Sequence, residues 1–424
     1  MSLNRKLRLA YVVSHPIQYQ VPLLRRLAQE PDISLKAFFW SDFSAKGYTD
    51  EGFGGVQIKW DVPLLEGYDY QVLPSVRRST GISFWAPINR GIYRALKKGS
   101  FDVIWLHGYW NLNCLATMIA AKALGIPLLV RSDSTLTDKP RSGFRLAVKR
   151  AFFSITKHFI SAVLATGSRN RDYWAHYLGS DVPLFMLPYA VDNAYFQKMI
   201  ATASQSREKF RQQLGLERDS PIILYASKLT GNKRCVDLID AYAGMKPMAD
   251  GKKPYLLIVG DGNQRASCEA RVRESGESRV HFLGFQNQSQ LPRFYDLCDV
   301  FVLPSICEPF ALVVNEVMNA GKTIVVSDEV GCQPDLVTEG VTGRVFRAMD
   351  VAALRSVLES ILVDSEPRRA MGCRGLARIN QWSYEEDIRG LREALNHVAG
   401  LPLNRGPVVN SMVPRGWSSN TAST

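Results

Sequence analysis

The stretch Asp299–Gly343, DVFVLPSICEPFALVVNEVMNAGKTIVVSDEVGCQPDLVTEGVTG, leaves the chain few ways to fold. Val300–Leu303 is an apolar run the length of a buried strand, and Pro304 and Ser305 end it. Pro309 suits the first turn of a helix, where its missing N–H costs nothing. Leu312–Ala320 then carries a helical pattern that Gly321 stops, and Thr323–Val326 is a second buried strand. Strand, loop, helix and strand in that order form the repeat of a parallel α/β sheet.

The same stretch carries chemistry. Glu308 lies on the loop and Glu316 eight residues on, so about two helical turns bring both carboxylates to one face. Between them the backbone amides of Phe310, Ala311 and Leu312 open the helix, unpaired and positive, suited to an anion or to sugar hydroxyls. In open α/β sheets ligands bind off the carboxyl ends of strands, where Glu308 falls. A surface Glu and a helix Glu at this spacing also arise by chance, so the pair alone does not define a site.

The rest of the chain repeats the unit. Leu7–Val13 is a buried strand running into SHPIQYQ, which puts His15 and Gln18 at a strand's carboxyl end; His15 either lines a site or caps the turn. Residues 33–73 alternate short strands with aromatic-rich loops. FDVIWLHGYW (101–110) ends a strand at His107, and GIPLLVRSDS (125–134) places Arg131 and Asp133 at another tip. For His107 a satisfied loop histidine is the alternative to a functional one. In PIILYASKLTGNKRCVDLIDAY (221–242), Lys228 and Lys233 flank a loop containing Gly231; two ammonium groups beside a helix start suit a diphosphate, and two solvated lysines are the plainer reading. Gly260, Gly262 and Gly284 end two further strands, either as turn residues or to let the backbone approach a ligand.

Length and charge set the wider frame. A chain of 424 residues implies two to three domains. We expect one domain over 1–203, a second over 204–383, a final helical stretch over 377–399 and a disordered tail over 402–424. No apolar run approaches the roughly 18 residues of a membrane span. Seven scattered cysteines without a CxxC pair point to a reducing cytoplasm and to neither disulfides nor zinc. Residues 1–200 hold 25 Lys/Arg against 14 Asp/Glu, so +11 of the chain's +12 lies there, and that half is expected to meet an anionic partner. Zinc-finger spacing and aromatic RNA-binding signatures are missing from the sequence, so nucleic acid is not the expected partner. Residues 141–160 carry Phe144, Val148, Phe152, Ile155 and Phe159 at helical spacing beside a basic stripe of Arg141, Arg145 and Lys149. Such a helix either packs on the sheet or lies on an anionic bilayer, with the protein peripheral at the inner membrane face.

Taken together, Lys228–x4–Lys233, LLIVGDG, VHFLGF, LPRFYDLCDVFVLPS, EPFALVVNEVMNAG and VTGRVF resemble, in order and spacing, the donor-binding domain of family-4 retaining glycosyltransferases of the GT-B fold. SHPIQYQ, the strand into His107 and PYAVDN extend a looser likeness over most of residues 5–400. The resemblance implies two Rossmann-like domains facing each other across a cleft, with the helix at 384–399 crossing back onto the first domain. It implies that Glu308 and the amides of Phe310, Ala311 and Leu312 meet the donor sugar and that Glu316 binds the ribose. Lys228 and Lys233 would neutralise the diphosphate, and His107 would lie beside the sugar, so that His107, Lys233 and Glu308 form the catalytic set. His15, Gln18, Arg131 and Asp133 are the remaining candidates for the cleft wall. The implied activity is transfer from a nucleoside-diphosphate sugar to a hydroxyl acceptor, lipid-linked oligosaccharide or polysaccharide. The chain has no Asp-x-Asp pair, so no metal or other cofactor is expected. An epimerase or hydrolase of the same fold, or a non-catalytic nucleotide-sugar-binding protein, are the alternatives. The chain departs from the family pattern where Ala311 replaces a glycine, Lys322-Thr323 an x-Pro pair and Cys332 a glycine, and in the missing glycine loop after the first strand.

Overall fold

The computed structural model describes residues 5–77, 79, 81–138, 142–249 and 251–400; the expected tail over 402–424 and Arg141 lie outside them. In the first part the strands are β1 (Leu7–Val13), β2 (Ile33–Phe39), β3 (Tyr48–Asp50), β4 (Val56–Ile58), β5 (Asp69–Val72), β6 (Ser75–Arg77), β7 (Ile88–Asn89), β8 (Val103–His107), β9 (Leu128–Arg131), β10 (Ala162–Ala165) and β11 (Leu184–Met186). The second part holds β12 (Ile222–Ala226), β13 (Tyr255–Val259), β14 (Val280–Phe282), β15 (Val300–Leu303), β16 (Thr323–Ser327) and β17 (Gly343–Phe346).

One sheet runs β11-β10-β9-β8-β1-β2-β5 and the other β14-β13-β12-β15-β16-β17, parallel throughout. Parallel sheets need cover on both faces, so their strands read as continuous apolar runs. The runs Val103–Leu106, Ile222–Ala226 and Val300–Leu303 are accordingly buried along their whole length. Each sheet has a core on either face, giving two doubly wound domains. β3 and β4 form a separate antiparallel hairpin outside the large sheet.

The strand order reverses between β1 and β8 in one domain and between β12 and β15 in the other. Such switch points open a crevice at the carboxyl ends of the strands. Lys228 follows β12 and Glu308 follows β15, so both stand at the switch point of the second domain.

The helix Tyr384–Ala399 returns to the first domain, where Ile388, Leu391, Ala394 and Leu395 join the core of β1, β2 and β8. Gly390 permits this contact, since a Cβ there would sit 1.7 Å from the carbonyl oxygen of Met186. The expected single helical stretch over 377–399 is instead two helices, Ser365–Ile379 and Tyr384–Ala399. They are parted at Ser383, whose side chain forms a capping box with Glu386. The helix Asn193–Ser204 packs on Leu291–Leu297 of the second domain, Phe196 meeting Tyr295.

The helix Gly143–Thr156 does not pack as its apolar stripe suggests. It buries Phe153 and Thr156, while Phe144, Val148 and Ile155 face outward, 79%, 53% and 64% exposed. Lys149 leaves the expected basic stripe and lies over the rings of Tyr173 and Tyr177, 4.3 and 4.7 Å from their centroids.

Candidate active site

Two loops of the second domain are stitched together at its switch point. The backbone N–H of Ile306 donates to Asn232 O at 2.9 Å, and Asn232 Nδ2 donates to Cys307 O at 3.1 Å. That stitching sets Lys233 on one loop against Glu308 on the other, as an ion pair. Gly331 N donates to Glu308 O at 2.8 Å and steadies the Glu308 loop from the far side. Burial and the nearby charge of Lys228 push the Lys233 ammonium down to about 8.

The helix begins at Leu312, as its pattern predicts, and runs to Met318; Pro309, expected in its first turn, stays in the loop because Ala311 takes φ +80° and ψ +68°, left-handed values that cannot continue a helix. Glu316 is therefore about one turn into the helix rather than two. Burial raises its carboxyl to about 7, opposed by the hydroxyl of Tyr295, which donates to Glu316 Oε2 at 2.5 Å. Gly260 and Gly262 are explained within the fold: a Cβ would meet Ser227 O at 1.9 Å and Leu229 O at 2.3 Å.

A cavity of about 720 Å³ lies between the domains. Lys228, Lys233, Glu308, Ala311, Leu312 and Glu316 border it, as does Gln18 from the first domain. Phe310 turns its ring away, buried against Tyr189 and stacked on Trp382 at 6.1 Å. Of the donor residues expected from sequence, all but the Phe310 side chain converge here, and for Phe310 it was the amide that was expected to act.

The remaining candidates are placed differently. His107 is not on the cavity wall: Nδ1 lies 2.9 Å from the Tyr11 hydroxyl and Nε2 3.3 Å from that of Tyr189. Burial and the charge of Arg131 hold its ring down at about 3, so it is neutral. Both ring nitrogens have hydrogen-bond partners, and through one of them His107 braces Tyr189. His15 is also off the wall, hydrogen-bonded to Ser14 Oγ at 2.8 Å and packed on Phe43, with burial lowering it to about 4. Arg131 is fully buried: it donates to Gln20 Oε1, Leu187 O and Pro188 O at 3.1, 2.9 and 3.0 Å and faces Asp387 of the crossover helix at 3.8 Å. It fastens that helix and is not on the cavity wall. Asp133 keeps an exposed side chain, yet the surrounding walls strip much of its water and raise its carboxyl.

The sequence reading did not include Phe53, Trp60 and Phe285, aromatic groups on the cavity wall, or Tyr19 and Tyr195 beside them. The one local signal was the glycine-rich EGFGG at 51–55, which lies outside the strand–helix repeats.

Residues 206–378 match the family described as glycosyl transferases group 1. That match spans the second domain. Among curated relatives, this chain is 30% identical over 194 residues to the D-inositol 3-phosphate glycosyltransferase of Nocardia farcinica, covering 44% of this chain and 43% of that one. The lipopolysaccharide 1,2-N-acetylglucosaminetransferase of Salmonella typhimurium is 29% identical over 202 residues, 45% of this chain and 52% of its own. The chain thus spans about a third to a half of the first curated relatives it matches. The Anabaena HepE structure, solved with UDP and glucose, superposes with a TM-score of 0.69 at 18% identity, over 92% of this chain and 99% of that one. At that identity the likeness is one of fold: two Rossmann-like domains across a cleft, the GT-B arrangement.

Proposed function

We propose that the protein is a retaining glycosyltransferase that moves a sugar from a nucleoside-diphosphate sugar to a hydroxyl acceptor. The observation that carries this reading is the convergence of Lys228, Lys233, Glu308 and Glu316 on one interdomain cavity in a group 1 domain. Glu316 takes the ribose hydroxyls with the carboxylate oxygen that Tyr295 leaves free. Lys228 and Lys233 take the diphosphate, and Glu308 with the amides of Ala311 and Leu312 takes the donor sugar. The acceptor oxygen attacks the anomeric carbon from the face the diphosphate leaves, through an oxocarbenium-like state. The acceptor's proton passes to the departing phosphate oxygen. Fixed cations aimed at developing negative charge stabilise such a state by several kcal/mol, and Lys233 is the closer candidate for that part. The two ammonium groups do this work in a metal-independent reaction. His107, hydrogen-bonded to the Tyr189 hydroxyl, is given the role of positioning that ring.

The acceptor is proposed to be a lipid-linked oligosaccharide or polysaccharide, with the first domain resting on an anionic bilayer. Two observations support this: the excess positive charge of residues 1–200, and the outward Phe144, Val148 and Ile155 beside exposed Arg145 and Arg150. No helix among the described residues is long and apolar enough to cross a membrane.

The test is turnover of labelled nucleoside-diphosphate sugars with a lipid extract as acceptor, with and without a chelator. Transfer of label to lipid, persisting in chelator and slowed about 100-fold by Lys233→Ala, is the expected outcome. Release of free sugar or an epimer alone, or wild-type turnover in the folded Lys233→Ala protein, overturns the reading.

A further inference from the structure

The hairpin β3–β4 belongs to the first domain, yet its turn lies on the second. Asp50 places Oδ1 and Oδ2 3.1 and 3.0 Å from Lys228 Nζ. The same ammonium lies 4.7 Å from the ring centroid of Phe53, which meets Phe285 edge-on at 5.0 Å. The glycines of EGFGG make this approach possible. A Cβ on Gly52 would come 2.8 Å from Lys228 Nζ, and one on Gly54 3.3 Å from the carbonyl carbon of Gly262. Gly54 also has φ +69°, a value that favours glycine.

The structure therefore shows both lysines of the cavity already paired with a carboxylate, Lys233 with Glu308 and Lys228 with Asp50. A diphosphate cannot lie against Lys228 while a carboxylate occupies the same face at about 3 Å without paying like-charge repulsion. Glu308 is held by the stitched loops and cannot withdraw far. Asp50 stands on a hairpin of two three-residue strands with no place in the large sheet, so it is the carboxylate free to leave. We propose that Asp50 is a displaceable counter-ion: it occupies the anion place on Lys228 in the donor-free protein and yields it to the donor's diphosphate. The glycine loop absent after β1 is thus answered by one on the hairpin, docked where the diphosphate is expected. This rests on the nucleotide-sugar reading above.

The test is calorimetric titration of UDP, GDP, ADP, CDP and dTDP into the wild type and Asp50→Asn, with Glu51→Gln as the neighbouring-charge control. Asparagine keeps the acceptor oxygen that Gly52 N bonds at 2.8 Å and removes only the charge. Asp50→Asn is expected to bind the accepted nucleotide about three- to tenfold tighter, and Glu51→Gln to change affinity less than about twofold. Gly54→Val, strained at φ +69° and tight against the backbone of Gly262, is expected to lift the same loop and to act in the same direction. Equal or weaker binding by both Asp50→Asn and Gly54→Val, or an equal gain in Glu51→Gln, overturns the counter-ion while leaving the donor site standing. Binding of no nucleotide by the wild type or any variant overturns both.

Discussion

Donor affinity should have a maximum in pH between about 7 and 8, because the two groups proposed to grip the donor titrate on either side of it. Ribose hydroxyls donate to Glu316 and favour its charged form, so binding drives off a proton below about 7 and affinity rises as pH climbs through that value. A diphosphate favours the Lys233 ammonium, so binding takes up a proton above about 8 and affinity falls as pH climbs further. One unit outside either value only about a tenth of the group is in the gripping form, a loss of up to 1.4 kcal/mol or roughly five- to tenfold in affinity. Because a sugar diphosphate diester stays fully ionised across the range, the ligand adds no titration of its own. Calorimetry from about pH 5.5 to 9.5, in two buffers of different ionisation enthalpy, reads both the affinity and the proton count. Glu316→Gln should flatten the acid limb and leave the alkaline one. Affinity constant from about pH 6 to 9, or an acid limb surviving in Glu316→Gln, would refute the argument.

Two further predictions follow from particular side chains. Ala311→Gly releases a residue held at φ +80° and should stabilise the protein by about 1 kcal/mol, raising Tm by a few degrees; an unchanged or lower Tm contradicts the strain. Phe144→Asp with Ile155→Asp alters side chains that face outward, so melting should stay within about 0.5 kcal/mol of wild type while co-sedimentation with anionic vesicles is lost. Undiminished binding by that variant, or equal wild-type binding to neutral and anionic vesicles, removes the membrane surface from the account.

Much of the second domain was legible because its signals are local. Val300–Leu303 and Ile222–Ala226 are apolar runs whose length and end residues already define buried parallel strands. The donor residues follow those strands at their carboxyl ends, so placing the strands placed Lys228, Lys233, Glu308 and Glu316 near one another. The break at Ser383 was written in Ser383-x-x-Glu386 but hidden by helical patterns running on both sides. His107 and Arg131 were harder. A strand-end histidine and arginine look alike in sequence whether they face a ligand or a partner, and here the partners Tyr189 and Asp387 lie 82 and 256 positions away.

Sequence alone determined the buried strands of the parallel α/β repeat and the residue types at their carboxyl ends, since periodicity and strand-end position act over a few residues. Tertiary structure decided which of those residues are free for a ligand. That choice depends on groups distant in the chain: Asp50 onto Lys228, Tyr11 and Tyr189 onto His107, and the crossover helix onto Arg131. A charge or a ring nitrogen is available only when nothing distant in the chain has already satisfied it, and no local pattern records that.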